Sequence, residues 1–264
     1  MHRGLMSRKA NFTGKDTDFT AVIPAAGRGA RMNSRVRKPL LSLDDTPIVL
    51  HTLARFAALD CCRKIVLIVH PDDSGFYAEC WQRPLEDHFG PLDIVPGGSS
   101  RQESVRRGLE GASSDIVLIH DAVRPLVRFD IIKTVACRAG IDGAAIAAVP
   151  AIATIKEVDR DRCIRATPSR DGLWMAQTPQ GFRRDGILNA HRYAERHGLS
   201  VTDDAGLMEQ RGEDVFVEKD SRDNIKITTP EDMAVASALL EWQRDNGVRA
   251  ASVDVPKLPL VNEE

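Results

Sequence analysis

Three features of this 264-residue sequence predict an α/β fold, a mostly parallel sheet flanked by helices. Short apolar runs alternate with helix-length segments. Several runs are continuous rather than alternating, the mark of strands buried on both faces. Polar or glycine-rich clusters follow directly after strands, where ligands bind in such sheets. The predicted strands are 19–23, 64–69, 92–95, 115–119 and 143–149; the predicted helices are 47–58, roughly 72–87, 101–111 and 129–139.

The first strand, Thr20-Ala21-Val22-Ile23, is short and β-branched. It runs into Pro24-Ala25-Ala26-Gly27-Arg28-Gly29-Ala30-Arg31-Met32, with Lys38 seven residues beyond Arg31. Small side chains let backbone N–H groups approach a polyphosphate, and Arg31 and Lys38 supply charge. The segment looks like a cradle for a nucleotide triphosphate. A dinucleotide fingerprint starting at Gly27-Arg28-Gly29 is the competing reading, but Met32 holds its third glycine position. Its acidic residue is also lacking, since Asp44 and Asp45 fall in a loop rather than at a strand end.

After the strand at 92–95 comes Gly97-Gly98-Ser99-Ser100-Arg101-Gln102-Glu103-Ser104-Val105. Gly98 and Ser104 suit contacts to a base or ribose; the plainer alternative is a helix N-cap by Ser99 or Ser100. After the strand at 115–119 comes His120-Asp121-Ala122-Val123-Arg124-Pro125. Asp121 and Arg124 are either a buried ion pair or a handle for a sugar, a phosphate or phosphate-bound Mg²⁺. Residues 151–158 and 163–167 lean towards strand around the turn Asp159-Arg160-Asp161-Arg162, a hairpin too small to be stable unless packed on something. Further on, a helix is predicted over 203–210, with Thr202 as a candidate cap. A short strand should end at Lys226 and Thr228, before Pro230 opens a helix to Trp242. Trp174 is expected in the core.

Composition sets limits. Thirty-six Lys and Arg against 38 Asp and Glu leave a net charge of −2, so no global field suggests nucleic acid or membrane binding. No run approaches the roughly 18 to 20 apolar residues of a membrane span, and the N-terminus lacks the apolar core of a signal peptide. The five cysteines, Cys61, Cys62, Cys80, Cys137 and Cys163, form no C-x-x-C pair, so reduced thiols in the cytoplasm are expected.

Six segments in order carry a resemblance: the Pro24–Met32 stretch, the Gly97–Val105 stretch, His120-Asp121-Ala122-Val123-Arg124-Pro125, Gly172-Leu173-Trp174-Met175-Ala176-Gln177-Thr178-Pro179-Gln180, Thr202-Asp203-Asp204, and Asp223-Asn224-Ile225-Lys226-Ile227-Thr228. Over about residues 19–242 the chain resembles the 2-C-methyl-D-erythritol 4-phosphate cytidylyltransferase family of the non-mevalonate isoprenoid pathway. The resemblance implies a Rossmann-like nucleotidyltransferase fold as one domain over 19–246, with mobile tails at 1–18 and 247–264 and no fused second enzyme. It implies transfer of CMP from CTP to methylerythritol phosphate with release of pyrophosphate, and a requirement for Mg²⁺ on the CTP phosphates, with Asp121 as candidate ligand. Pentitol (ribitol) 5-phosphate is the alternative acceptor; a catalytically silent nucleotide-binding relative is the alternative of another class.

The same resemblance assigns roles. Arg31, Lys38, Arg170 and Lys226 are the catalytic set, with Lys226 bridging the α-phosphate and the incoming phosphate. Pro24, Ala25, Ala26, Gly27, Gly29, Gly98, Ser104, Asp121 and Ala122 face the nucleotide. Arg124, Thr154, Thr178, Thr202 and Thr228 face the acceptor. The arm at about 150–170 is expected to reach a second subunit, so that Thr154 and Arg170 serve the neighbouring site of a homodimer. One departure stands out. The family lysine commonly sits in Pro-Lys-Gln-Tyr, whereas here it sits in Arg37-Lys38-Pro39-Leu40, so Arg37 could share the role of Lys38.

Overall fold

The computed structural model describes residues 16–27, 37–249, 254–256 and 258. A seven-stranded sheet forms the centre, in the order β11-β7-β10-β6-β1-β4-β5. Its strands are β1 (Phe19–Pro24), β4 (Cys62–Val69), β5 (Leu92–Pro96), β6 (Ile116–Ile119), β7 (Ala144–Pro150), β10 (Trp174–Arg183) and β11 (Phe216–Lys219). All neighbours pair in parallel except β10, which runs antiparallel to both β6 and β7. Two small ribbons lie outside it: β2 (Ser42–Leu43) with β3 (Thr46–Pro47), and β8 (Glu157–Val158) with β9 (Ile164–Ala166).

Continuous apolar strands have two faces to bury, and both are covered. Phe19, Ala21 and Ile23 of β1 pack with Val49, Leu50 and Phe56 of α1 (Ile48–Ala57) and with Val135 of α5 (Phe129–Asp142). Val22 points the other way, to Val105 of α4 (Arg101–Glu110) and Ile187 of α6 (Arg184–His197). Each of the fully buried valine, leucine, isoleucine and phenylalanine side chains contributes roughly 1.5–3 kcal/mol. Gly108 lets α4 sit close, because a Cβ there would meet Ile68 Cδ1 at 2.5 Å and Val22 Cγ1 at 2.8 Å. The short α7 (Ala205–Glu209) closes that layer, and α8 (Pro230–Asp245) packs separately, with Ala236 and Leu240 against Leu43, Ile48 and Leu126. No helix among the described residues is long and apolar enough to cross a membrane, and the five cysteines form no disulfide.

Several expectations need correction. The helix expected over 72–87 is broken into α2 (Ser74–Phe76), a π turn (Tyr77–Trp81) and α3 (Gln82–Phe89). Pro84 brings no N–H to the carbonyl of Cys80, and the wider turn ends just before it. Trp174 is 42% exposed rather than core, because β10 extends past the sheet and pairs it only with Pro150. Residues 225–228 are irregular rather than strand, with Ile227 N–H donating to the Val123 carbonyl at 2.9 Å. Towards the two ends of the described chain, Lys133 pairs with Asp16 at 2.6 Å, Arg63 with Asp18 at 2.9 Å, and Leu258 packs on the core.

Candidate active site

The chain runs outward from β1 to β4 and β5, then returns to the other side of β1 to form β6. That reversal opens a crevice at the carboxyl ends of β1 and β6. A cavity of about 590 Å³ lies there, with His70 after β4 among the residues that line it. Pro24, Ala25, Ala26 and Gly27 follow β1; Lys38 and Pro39 return from the next loop; Gly98 to Arg101 and Ser104 follow β5; Asp121 to Val123 follow β6; and Lys226 closes it. The size is that of a small-molecule site.

The β5–α4 wall is rigid for identifiable reasons. A Cβ on Gly97 would stand 2.8 Å from Ala26 Cβ and 2.9 Å from Ser104 Oγ, so only glycine brings these loops together. Ser104 Oγ accepts from Gly98 N–H at 3.0 Å and donates to the Ser100 carbonyl at 2.8 Å. Ser100 caps α4 by accepting from Glu103 N–H, as the plainer reading expects. Glu103 then accepts from the amide and the hydroxyl of Ser99 and from Arg107, which bring its carboxyl down to about 2.

Asp121 is the electrostatic centre. Its carboxylate meets Lys226 Nζ at 2.9 Å, Arg124 Nε at 3.5 Å and an Arg101 Nη at 3.9 Å. Burial alone would raise this carboxyl, but Lys226, Arg101 and Arg124 together bring it down to about 2. Behind it lies His120, buried against the Phe56 ring at 5.0 Å and pushed down to about 4 chiefly by that burial. His120 Nε2 faces the Arg124 carbonyl at 3.0 Å, and a carbonyl only accepts, so Nε2 carries the proton. Nδ1 therefore accepts from Thr178 Oγ1 at 3.1 Å, and Thr178 Oγ1 accepts from Asp121 N–H at 3.1 Å. Pairing of Gln180 with Ile119 brings Thr178 alongside these groups.

Lys226 is positioned by its neighbours rather than by a strand. Asn224, fully buried, donates to the Thr178 carbonyl at 2.8 Å and to Asp220 at 2.6 Å. Its own carbonyl accepts from Arg124 at 2.7 Å and Gln177 at 3.1 Å. Arg101 is set in the same way from the opposite side. It meets Asp204 at 2.8 Å, while Asp204 also meets His191 Nε2 at 3.0 Å and its N–H donates to Gln180.

Of the residues expected to act together, Pro24, Ala25, Ala26, Gly27, Lys38, Gly98, Ser104, Asp121, Ala122 and Lys226 all line the cavity. Arg31 and Gly29 lie outside the described residues. Arg124 and Thr178 are held behind the cavity wall, and the Thr178 hydroxyl proton is committed to His120. The Thr228 hydroxyl donates to Asp232 at 2.7 Å, where Thr229 caps α8. Thr202 is exposed, and Asp203 rather than Thr202 accepts from the Gly206 amide in α7. Thr154 and Arg170 sit on the exposed arm, where Arg170 donates to the Ile152 carbonyl. Arg101, Asn224, Asp204 and His191 were not singled out from sequence. Arg101 opens a helix after a glycine pair, and Asp204 and Asn224 stand inside segments that carry the resemblance; His191 carries no local signal.

A small-residue cradle, a glycine pair and cations gathered around one carboxylate at the switch point define a nucleotidyltransferase site. The family model described as IspD, 2-C-methyl-D-erythritol 4-phosphate cytidylyltransferase, matches residues 19–242, and the chain belongs to this family. Cytidylyl transfer from CTP to methylerythritol phosphate is accordingly its reaction, in place of the pentitol alternative. The relative of that name from Bacillus licheniformis is 40% identical over 231 residues, covering 87% of this chain and 98% of the relative. That from Pelotomaculum thermopropionicum is 42% identical over 226 residues, covering 84% and 93%. The crystal structure of 4-diphosphocytidyl-2C-methyl-D-erythritol synthase from Anaerococcus prevotii superposes with a TM-score of 0.74 at 29% identity, covering 86% of this chain and all of that one. The 2-C-methyl-D-erythritol 4-phosphate cytidylyltransferase from Thermus thermophilus gives 0.69 at 30% identity, covering 83% and 98%.

Proposed function

We propose that the cavity takes CTP with its triphosphate against residues 24–27, Arg31 and Lys38, and its base and ribose against Gly98 and Ser104. The carrying observation is Lys226, held 2.9 Å from Asp121 at a cavity that Lys38 also lines. An oxygen of the methylerythritol phosphate attacks the α-phosphorus in line. The bond from that phosphorus to the bridging oxygen breaks, and pyrophosphate leaves with the electron pair. Lys226 bridges the α-phosphate and the incoming phosphate. No protein nucleophile is required, so catalysis lies in positioning and in fixed positive charge. Arg124 and Thr178 act through Asp121 and Lys226, and Thr228 through the cap of α8.

Mg²⁺ fits this site as an ion carried by the nucleotide. No group of three or more His, Cys, Asp or Glu suited to a metal exists among the described residues, and Asp121 is the carboxylate lining the cavity. Mg²⁺ commonly takes one or two carboxylates, phosphate oxygens and water. Asp121 would hold it, and the ion would neutralise phosphate charge. Thr154 and Arg170 serve the site of a second copy in a homodimer. The apolar side chains that the arm leaves exposed in a single chain, Ile152 and Ile164 among them, support this reading.

Pyrophosphate release with CTP and Mg²⁺ tests the proposal, comparing methylerythritol phosphate with ribitol 5-phosphate. Turnover with the first alone is expected. Turnover with ribitol 5-phosphate alone would overturn the acceptor while leaving the chemistry.

A further inference from the structure

Arg37 stands where the sequence departs from its family, immediately before Lys38, and its side chain does not join Lys38 at the cavity. Its Nε donates to Asp73 Oδ2 and an Nη lies 3.4 Å from Asp72 Oδ2. The Arg37 and Asp73 side chains are each only 20% exposed, against 69% for Asp72, so Asp73 is the principal partner. Asp73 ends a tight turn that follows β4 and is itself fixed. Its N–H donates to the His70 carbonyl at 3.0 Å, and Asp72 N–H donates to His70 Nδ1 at 3.2 Å. His70 lines the same cavity as Lys38 and Pro39. The Arg37–Asp73 pair thus joins the backbone that leads into Lys38 to the turn after β4.

The backbone at Arg37 has φ −65° and ψ 138°, its carbonyl accepts from Leu40 N–H at 2.9 Å, and Lys38, Pro39 and Leu40 then turn inward and are buried. A proline ring fixes φ at about −65° covalently. In this chain an arginine takes that conformation, and an ion pair fastens its side chain.

We propose that Arg37 is a positioning residue rather than a second phosphate ligand: clamped by Asp73, it fixes the loop end so that Lys38 faces the triphosphate. The clamp does for this chain what a proline at position 37 would do by its ring. The proposal uses the phosphate role given above to Lys38, and the experiment keeps the two apart.

The test compares R37Q, D73N, R37Q/D73N and R37P in the full-length protein. Measurements are kcat and KM for CTP and for methylerythritol phosphate, and amide hydrogen exchange at Lys38 to Leu41. R37Q and D73N should each raise KM for CTP about three- to fivefold, the size of one partly exposed ion pair. KM for methylerythritol phosphate should not move. The double variant should be no worse than either single one, and R37P should stay near the parent. Exchange at Leu40 and Leu41 should quicken in both single variants. The proposal is overturned if R37Q loses far more than D73N, which would make Arg37 a phosphate ligand, or if neither substitution changes KM or exchange. K38A measured alongside decides the other premise: a parental KM for CTP would remove Lys38 from the phosphate site, while exchange still decides the clamp.

Discussion

The wall behind Asp121 and the arm at about 150–170, with the start of β10 that adjoins it, invert each other. In the wall, polar side chains are buried and bonded to one another: His120 and Asn224 are both 0% exposed. In the arm and at the start of β10, apolar side chains face outward: Ile164 is 57% exposed and Trp174 42%. Burying a polar group is costly unless its hydrogen bonds are made, and the wall makes most of them within one chain, with Gln177 Oε1 and Asn224 Oδ1 left without a hydrogen-bond partner. Exposing a contiguous set of large apolar groups is the mark of a surface meant for a partner. One region is finished by its own chain; the other has a use only if something covers it.

The largest effect should come from breaking the finished region at its chemical end. Lys226→Ala is expected to cut kcat by about 10²–10³, roughly 3–4 kcal/mol of transition-state stabilisation, with the protein still folded by circular dichroism. Arg170→Ala should be inactive by itself through the proposed neighbouring site. Mixing it with Lys226→Ala should restore part of the activity, because a hybrid dimer keeps one intact site. No recovery after confirmed subunit exchange would confine each site to one chain.

A smaller effect belongs to the wall's own stability. His120 is lowered from 6.5 to about 4 in the folded protein, so between those values the unfolded chain binds more protons than the folded one. Stability is therefore fully present above about pH 6.5 and falls as pH drops towards 4, by on the order of 2–3 kcal/mol from this group. His51, also lowered mainly by burial, works in the same direction. Urea unfolding across pH 4–8 should show a shallower slope for His120→Asn than for the parent. An unchanged slope would mean that His120 does not titrate on unfolding as its burial requires.

The smallest effect tests the arm. Trp174→Asp should change the unfolding free energy of the single chain by no more than about 0.5 kcal/mol, as an exposed substitution does. It should nonetheless lower the sedimentation coefficient if the arm joins two copies. A large loss of stability without a change in mass would return the arm to the chain's own core.

Legibility followed the physics of each element. β1, β4 and β6 were readable because a strand buried on both faces must be a continuous apolar run. β10 was not, because Thr178-Pro179-Gln180 breaks the pattern, and its pairing with β7 indeed shifts register between Ala176 and Gln180. α6 carries a helical apolar spacing in Ile187, Leu188, Ala190 and Ala194. At the site, Lys226 and Asp121 were legible as charges after strand-like runs. Asn224 was not, since nothing local distinguishes an asparagine whose buried amide donates twice from one in a turn.

The sequence by itself determined the class of fold, the order of the loops at the carboxyl end of the sheet and the chemistry those loops carry, because apolar periodicity and short motifs are local properties of the chain. Only the tertiary structure decided which hydroxyls are already committed, which arginine faces the cavity and which one fastens a loop. Those outcomes depend on hydrogen-bond partners far apart in sequence, such as Thr178 with His120 and Arg124 with Asn224, which meet only when the sheet assembles.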